Sequence, residues 1–217
     1  MPTDTAGNRS DATHTGTADA VIISGGLADT NLSTQATSGG DRFLLKFTGL
    51  SGITGPVTVS AASITLYVAT GQGSSVTVTA KRILQNWVEN QATWNNYATS
   101  SPWGTPGCAL DGTDRVAANS CDFAYAGGFA TGDITSGNNT TLIADVEGFI
   151  NLTLNNYGWV IDSGAVPVSF GLPANTDTGS SPADSTGRRP KLTITYTTGG
   201  GGQPPRTVVL FGQMQRR

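Results

Sequence analysis

An all-β fold, an antiparallel β-sandwich with jelly-roll-like topology, one short helix and an extended C-terminal arm, is what this sequence predicts, on three observations. Runs of strand length with an apolar residue at every second position recur along the chain. Glycine, proline, asparagine and aspartate punctuate those runs at the short spacing of turns. Charged residues make up only 12% of the chain, so Thr, Ser, Asn and Gly must keep it soluble. Those residues suit exposed strand faces better than the polar stripe of an amphipathic helix. At 217 residues the chain is long enough to bury roughly 70% of its unfolded surface as one domain.

Ala20 to Ile23 is a short apolar run stopped by Gly25-Gly26. Arg42 to Phe47 is nearly continuous in apolar residues, as expected of a strand covered on both faces. Val57 to Val59 follows Gly55-Pro56, and then Ala62 to Val68 alternates, with Ile64, Leu66 and Val68 on one side and Ser63, Thr65 and Tyr67 on the other. Ser75 to Ile83 repeats the alternation after a turn at Gly71 to Gly73, so these two strands are expected to pair as a hairpin. Trp159 to Ile161, Val166 to Phe170 and Lys191 to Tyr196 are the later strands. Leu142, Ile143, Val146, Phe149 and Ile150 recur at helical spacing instead, which predicts a helix within Thr141 to Leu154 capping an opening of the sandwich. The expected organisation is a flexible polar leader at 1–18, the sandwich at 19–198, a Gly/Pro linker at 199–205 and a strand or docking arm at 206–217.

The linker carries the arm's expected role. Gly199 to Gly202 removes stiffness and Pro204-Pro205 restores it, so the stretch reads as a tether. The segment beyond is too short to fold alone. Val208, Val209, Leu210 and Phe211, with Met214, Arg216 and Arg217, are the candidate contacts of a strand that adds to another protein subunit. A return to an edge of its own sandwich is the alternative.

Between the strands, Trp87 and Trp94 sit in a polar run with Glu89, one of the two glutamates of the chain. Core or end-cap packing with a bonded indole N–H is one reading of these rings; stacking on a sugar is the other. Trp103, among Ser101, Pro102 and Gly104, has little apolar company and is the better candidate for exposed aromatic contact, joined by Tyr97. Cys108 and Cys121 bracket a Gly/Asp/Asn-rich loop. A disulfide there would close a loop of ~14 residues, worth about 3 kcal/mol in the chain-entropy model; free thiols are the alternative. Asp111, Asp114 and Asp122, with Asn119, are candidate calcium ligands because hard oxygens cluster in one loop, although Asp and Asn also favour turns for local hydrogen bonding.

Several functions are disfavoured. His14 is the single histidine and lies in the polar leader, a poor base for a nucleophilic triad, and nothing sets Glu89 and Glu147 across a cleft for glycoside hydrolysis. A formal net charge of -3 offers no field for nucleic acid, and Arg188-Arg189 and Arg216-Arg217 read as isolated polar anchors. No stretch is long enough to insert in a membrane, and the first twenty residues hold no apolar run of a secretory signal.

Asp41-Arg42-Phe43-Leu44-Leu45-Lys46-Phe47, Ser63 to Val68, Trp87-Val88-Glu89 with Thr93-Trp94-Asn95, Asn156-Tyr157-Gly158-Trp159-Val160-Ile161 and Arg189 to Tyr196 follow one another in order. Together they resemble the DNRLRE family, β-sandwich modules of bacterial surface and secreted proteins that are grouped with carbohydrate-binding modules. The similarity spans about residues 19 to 197. That family carries a Ser-x-Glu-like element before its last strand, whereas Ser169-Phe170-Gly171-Leu172-Pro173-Ala174 has no carboxylate, and Cys108 to Gly137 is an insertion of this chain's own. Two functions are expected, the first from the low charge, the Thr/Gly-rich sandwich and the tethered terminal strand, the second from the resemblance. The first is a non-catalytic structural or adhesion protein of a particle surface, a bacteriophage virion decoration or fibre, docking through its C-terminal arm. The second is a secreted carbohydrate-binding module attached to polysaccharide. Either places the protein in a virion or outside the cell.

Overall fold

The computed structural model describes residues 17–22, 34–37, 42–70, 73–89, 91–137, 139–164, 168–171, 190–199 and 204–211. Strands are numbered in chain order. β1 (Thr17–Ile22), β3 (Arg42–Phe47), β10 (Trp159–Asp162), β5 (Val76–Arg82) and β8 (Cys121–Tyr125) stand side by side in that order as a five-stranded sheet. A six-stranded sheet faces it across the core, built from β13 (Arg206–Phe211), β12 (Lys191–Thr198), β4 (Val57–Thr70), β11 (Val168–Gly171), β2 (Thr34–Thr37) and β9 (Gly132–Thr135). Every pairing is antiparallel. Thr65 pairs with both Lys191 and Thr135, and Val68 with both Gly132 and Phe170. Hence β9 lies along one edge of β4, while β12 and β11 share the other.

The main core is the meeting of two alternations. β4 contributes Ile64, Leu66 and Val68, β12 Leu192, Ile194 and Tyr196, and β5 Val78 and Ala80, all buried. Each large aliphatic side chain so enclosed is worth about 1.5–3 kcal/mol. The apparent break between Val59 and Ala62 is not a strand end. Thr195 lies opposite Ala61 and Tyr196 opposite Val59, so Ser60 is the extra residue of a β-bulge and β4 runs unbroken for 14 residues. Val57 and Val59 therefore face the same core as Ala62 and Ile64.

The expected β4–β5 hairpin does not form. Both edges of β4 are already taken, and β5 crosses to the other sheet, between β10 and β8.

The predicted helix is α1 (Thr140–Ile150). The Asn139 side chain accepts from Thr141 N at its start, and Leu142, Val146, Phe149 and Ile150 enter the core. It stops short of Leu154 because Leu152 turns left-handed at φ 59° and the Thr153 and Leu154 amides both donate to Gly148 O. Two helix side chains also close one edge of β4: Glu147 Oε2 accepts from Val59 N at 2.8 Å and Asn151 Oδ1 from Val57 N at 2.8 Å, while Asn151 Nδ2 donates to Val57 O at 2.8 Å. On the opposite side Asp145 receives Arg82 Nε at 2.8 Å, Ser120 Oγ at 2.6 Å and Trp159 Nε1 at 3.3 Å, which ties the helix to the five-stranded sheet.

The C-terminal strand corrects the docking expectation. β13 pairs with β12 from Tyr196↔Arg206 to Lys191↔Phe211, and Val208 and Leu210 fill the chain's own core, with Val209 half-buried on the outward side opposite Thr193. The antiparallel pairing of β13 with β12 brings those apolar residues to the chain's own sheet. Met214, Arg216 and Arg217 lie outside the described residues, as do His14 and Arg188-Arg189. Among the described residues no helix is long and apolar enough to cross a membrane.

Candidate functional site

The outer face of the five-stranded sheet is apolar and covered. β3 alternates so that Phe43, Leu45 and Phe47 enter the main core while Leu44 points the other way, joining Ala20 and Ile22 of β1 and Val160 of β10. The chain between β5 and β8 lays Trp87, Ala92, Trp103 and Cys108 over them as a second, smaller core. Within this cover β6 (Asn96–Ala98) and β7 (Ser101–Pro102) form a short ribbon. Trp87 Nε1 donates to Tyr157 O at 2.8 Å and Trp103 Nε1 to Thr93 O at 3.0 Å, so the indole donors are satisfied inside the protein. Lys46 Nζ sits 5.1 Å from the Trp87 ring centroid, and burial there lowers its pKa from the ordinary 10.5, opposed by Glu89.

This placement overturns the expectation for Trp87 and Trp103 as sugar-stacking rings. They are 2% and 4% exposed. Tyr97 stands edge-on to Trp103 at 5.6 Å, and the Arg42 guanidinium lies 5.5 Å from the Trp94 ring; both aromatics are half-buried supports of the cover. Gly107 shows how closely it is packed: a Cβ there would fall 2.5 Å from Trp94 Cη2 and 2.7 Å from Arg42 Nη1, and its φ of 83° suits only glycine.

The cysteines are free, which corrects the disulfide. Cys108 belongs to the outer cluster and Cys121 to the main core, on opposite sides of the five-stranded sheet. Burial pushes the Cys121 thiol up from 9.0 to about 12, with Asp122 and Asp145 adding to it against a hydrogen bond from Ser136. Burial, then the Asp114 charge, raises Cys108 still further, against Arg115 and Arg42.

The candidate calcium ligands are not brought together either. Asp114 is fully buried and accepts the backbone amides of Gly104 at 2.7 Å, Thr105 at 3.0 Å and Leu110 at 3.0 Å. Asp111 pairs with Arg115 at 2.9 Å and Lys81 at 3.5 Å, while Asp122 accepts from Asn119 at 2.8 Å. Each carboxylate fastens its own turn, and among the described residues no group of three potential metal-ligating side chains exists.

The opposite outer face, that of the six-stranded sheet, was not foreseen as a site. The residues between the core positions of β4, β12, β13 and β9 point outward here: Ser63, Thr65 and Tyr67, then Thr193, Thr195 and Lys191, with Thr207, Asp133 and Thr135 alongside, Val209 opposite Thr193 as an apolar exception and Thr65 itself buried by its neighbours. Rows of hydroxyls result, with Thr65 and Thr135 oxygens 2.9 Å apart and Thr195 and Thr207 oxygens 3.1 Å apart. Tyr67 lies opposite Asp133, and Lys191 reaches across β4 to Asp133 Oδ2 at 2.8 Å. The Lys191 and Asp133 side chains are 25% and 42% exposed, leaving donors and acceptors of both kinds at the surface. A half-buried aromatic ring among hydroxyls and one balanced ion pair can hold a flat, hydroxyl-bearing ligand by stacking and hydrogen bonding.

These geometries define a two-sheet β-sandwich with one covered and one polar outer face, in which Glu147, one of the two glutamates, accepts from Val59 N. Residues 10–102 are similar to Carbohydrate-binding module family 96. That span runs from β1 through β7 and includes the outward side of β4. It covers under half of the chain, and the carbohydrate-binding character expected from the sequence is supported at this level. Comparison with curated proteins and with solved structures gives no match.

Proposed function

We propose that this protein is a non-catalytic polysaccharide-binding module that grips its ligand on the outer face of the six-stranded sheet, with Tyr67 as the stacking ring. The likeness of residues 10–102 to a carbohydrate-binding module is the observation that carries the reading. The outer face narrows it: Thr193 and Thr195 present hydroxyls, Thr65 is buried with its hydroxyl paired to Thr135, and Lys191 with Asp133 supplies one donor group and one acceptor group without net charge. Such a surface recognises the hydroxyls of an extended sugar chain and leaves chemistry to other proteins. A particle-surface role in a virion keeps only the support of the low charge and the Thr-rich exterior, because β13 belongs to this chain's own sheet.

Affinity electrophoresis through gels holding β-glucan, xylan or alginate tests the proposal. Retarded migration is expected in at least one gel, and Tyr67→Ala should migrate freely there while melting as the parent does. Unretarded migration of the parent in all of them would sink it.

A further inference from the structure

Phe129 is 72% exposed and holds a left-handed backbone, φ 58°. A bulky side chain rarely adopts that conformation, and burial gives no return for it here. The loop nevertheless fixes it firmly. Gly127 and Gly128 take φ 81° and 68°, Gly128 N donates to Gly73 O at 3.0 Å, and Ala130 N to Gly127 O at 3.3 Å. A Cβ on Gly127 would lie 2.7 Å from Gly73 O, so this loop and the one after β4 are locked against each other. The Phe129 ring edge rests 3.5 Å from where a Gly73 Cβ would sit, so the ring is braced by backbone rather than enclosed by side chains.

The loop leads directly into β9. Phe129 is four residues before Asp133, the partner of Tyr67, so its Cα lies within ~14 Å of Asp133's. Resting on the glycan-binding reading above, we infer that Phe129 is a second stacking platform, at the rim of the sandwich, that extends the site to a longer stretch of the same polysaccharide. A protein occupant fits poorly. Gly73 beside the ring, and Ser74, Ser75, Ala130 and Thr131 in the same two loops, are exposed and small, whereas a stable interface buries about 800 Å² on each partner around an apolar centre. A single rigid ring flanked by backbone matches one sugar face.

Titration calorimetry with disaccharides and hexasaccharides of β-glucan, xylan and alginate tests the inference. Phe129→Ala should weaken hexasaccharide binding about tenfold, the effect of one aromatic stack, and leave disaccharide binding unchanged. Phe129→Trp should restore it, and Tyr67→Ala should abolish both. Unchanged hexasaccharide affinity in Phe129→Ala overturns this inference and spares the Tyr67 face; so does a concentration-dependent dimer on size exclusion that only Phe129→Ala removes, with glycan affinity intact. No binding by the parent to any probe overturns both.

Discussion

The two outer faces of the sandwich have opposite fates. On the five-stranded sheet, Leu44, Ala20, Ile22 and Val160 face outward and are roofed by Trp87 and Trp103. On the six-stranded sheet the outward positions include Ser63, Thr65, Tyr67, Thr193 and Thr195, with the Thr65 hydroxyl paired to Thr135 and that of Thr195 to Thr207. The same pleat that sorts side chains to two sides thus makes one sheet a middle layer and the other a boundary with solvent. Aromatic residues follow that division: Trp87 and Trp103 are buried on the covered side, and Tyr67 is half-buried on the other.

Substitutions should separate the two faces. Trp103→Ala removes a buried ring from the smaller core and should cost about 3–5 kcal/mol, read as a lower denaturant midpoint, with polysaccharide retention kept by the molecules that remain folded. Loss of retention without loss of stability would assign recognition to the cover instead. Asp114→Ala strips the acceptor from the amides of Gly104, Thr105 and Leu110, and an expected loss of about 3 kcal/mol can be followed by thermal melting. Unchanged melting would mean that the cover does not depend on this turn.

Alkaline pH probes both sides of the five-stranded sheet at once. Cys108 and Cys121 keep their protons when folded, whereas unfolded thiols ionise near their ordinary 9.0, so above that pH the unfolded chain binds fewer protons and stability falls. The decline should run from about pH 9 up to about 12, the pKa that burial imposes on Cys121. Lys46 contributes the opposite slope on approach to 10.5, because its folded pKa is lowered. Replacing both cysteines by alanine should flatten the fall in urea titrations across this range. The smallest stability change is expected for Tyr67→Ala, within about 1 kcal/mol, and it should coincide with the largest loss of retention.

Much of the architecture was legible because alternation is a local property. The second half of β4, β5 and β12 announced their period, the continuous apolar run of Arg42 to Phe47 announced burial on both faces of β3, and α1 announced its different spacing. The β4 bulge was misread as a strand end because two core positions three apart look like a break until the partner strand is seen. The partner of β5 depended on which edges of β4 were free, which no local window contains. Cys108 and Cys121 are close in sequence yet separated by a sheet, so loop length misled. The hydroxyl face was read as mere solubility. Its signal was present in Tyr67, an aromatic placed in phase with Ser63 and Thr65 rather than with Leu66.

Glu147 and Asn151, one helical turn apart, match the two-residue spacing of Val57 N and Val59 N along a strand. Carboxylate and amide thereby imitate the acceptors of a missing neighbour, and the start of β4 offers no open ladder to a foreign chain. α1 serves in this way as a guard against aggregation as well as a lid, because β4, the longest of the described strands, is kept from templating cross-β growth between copies.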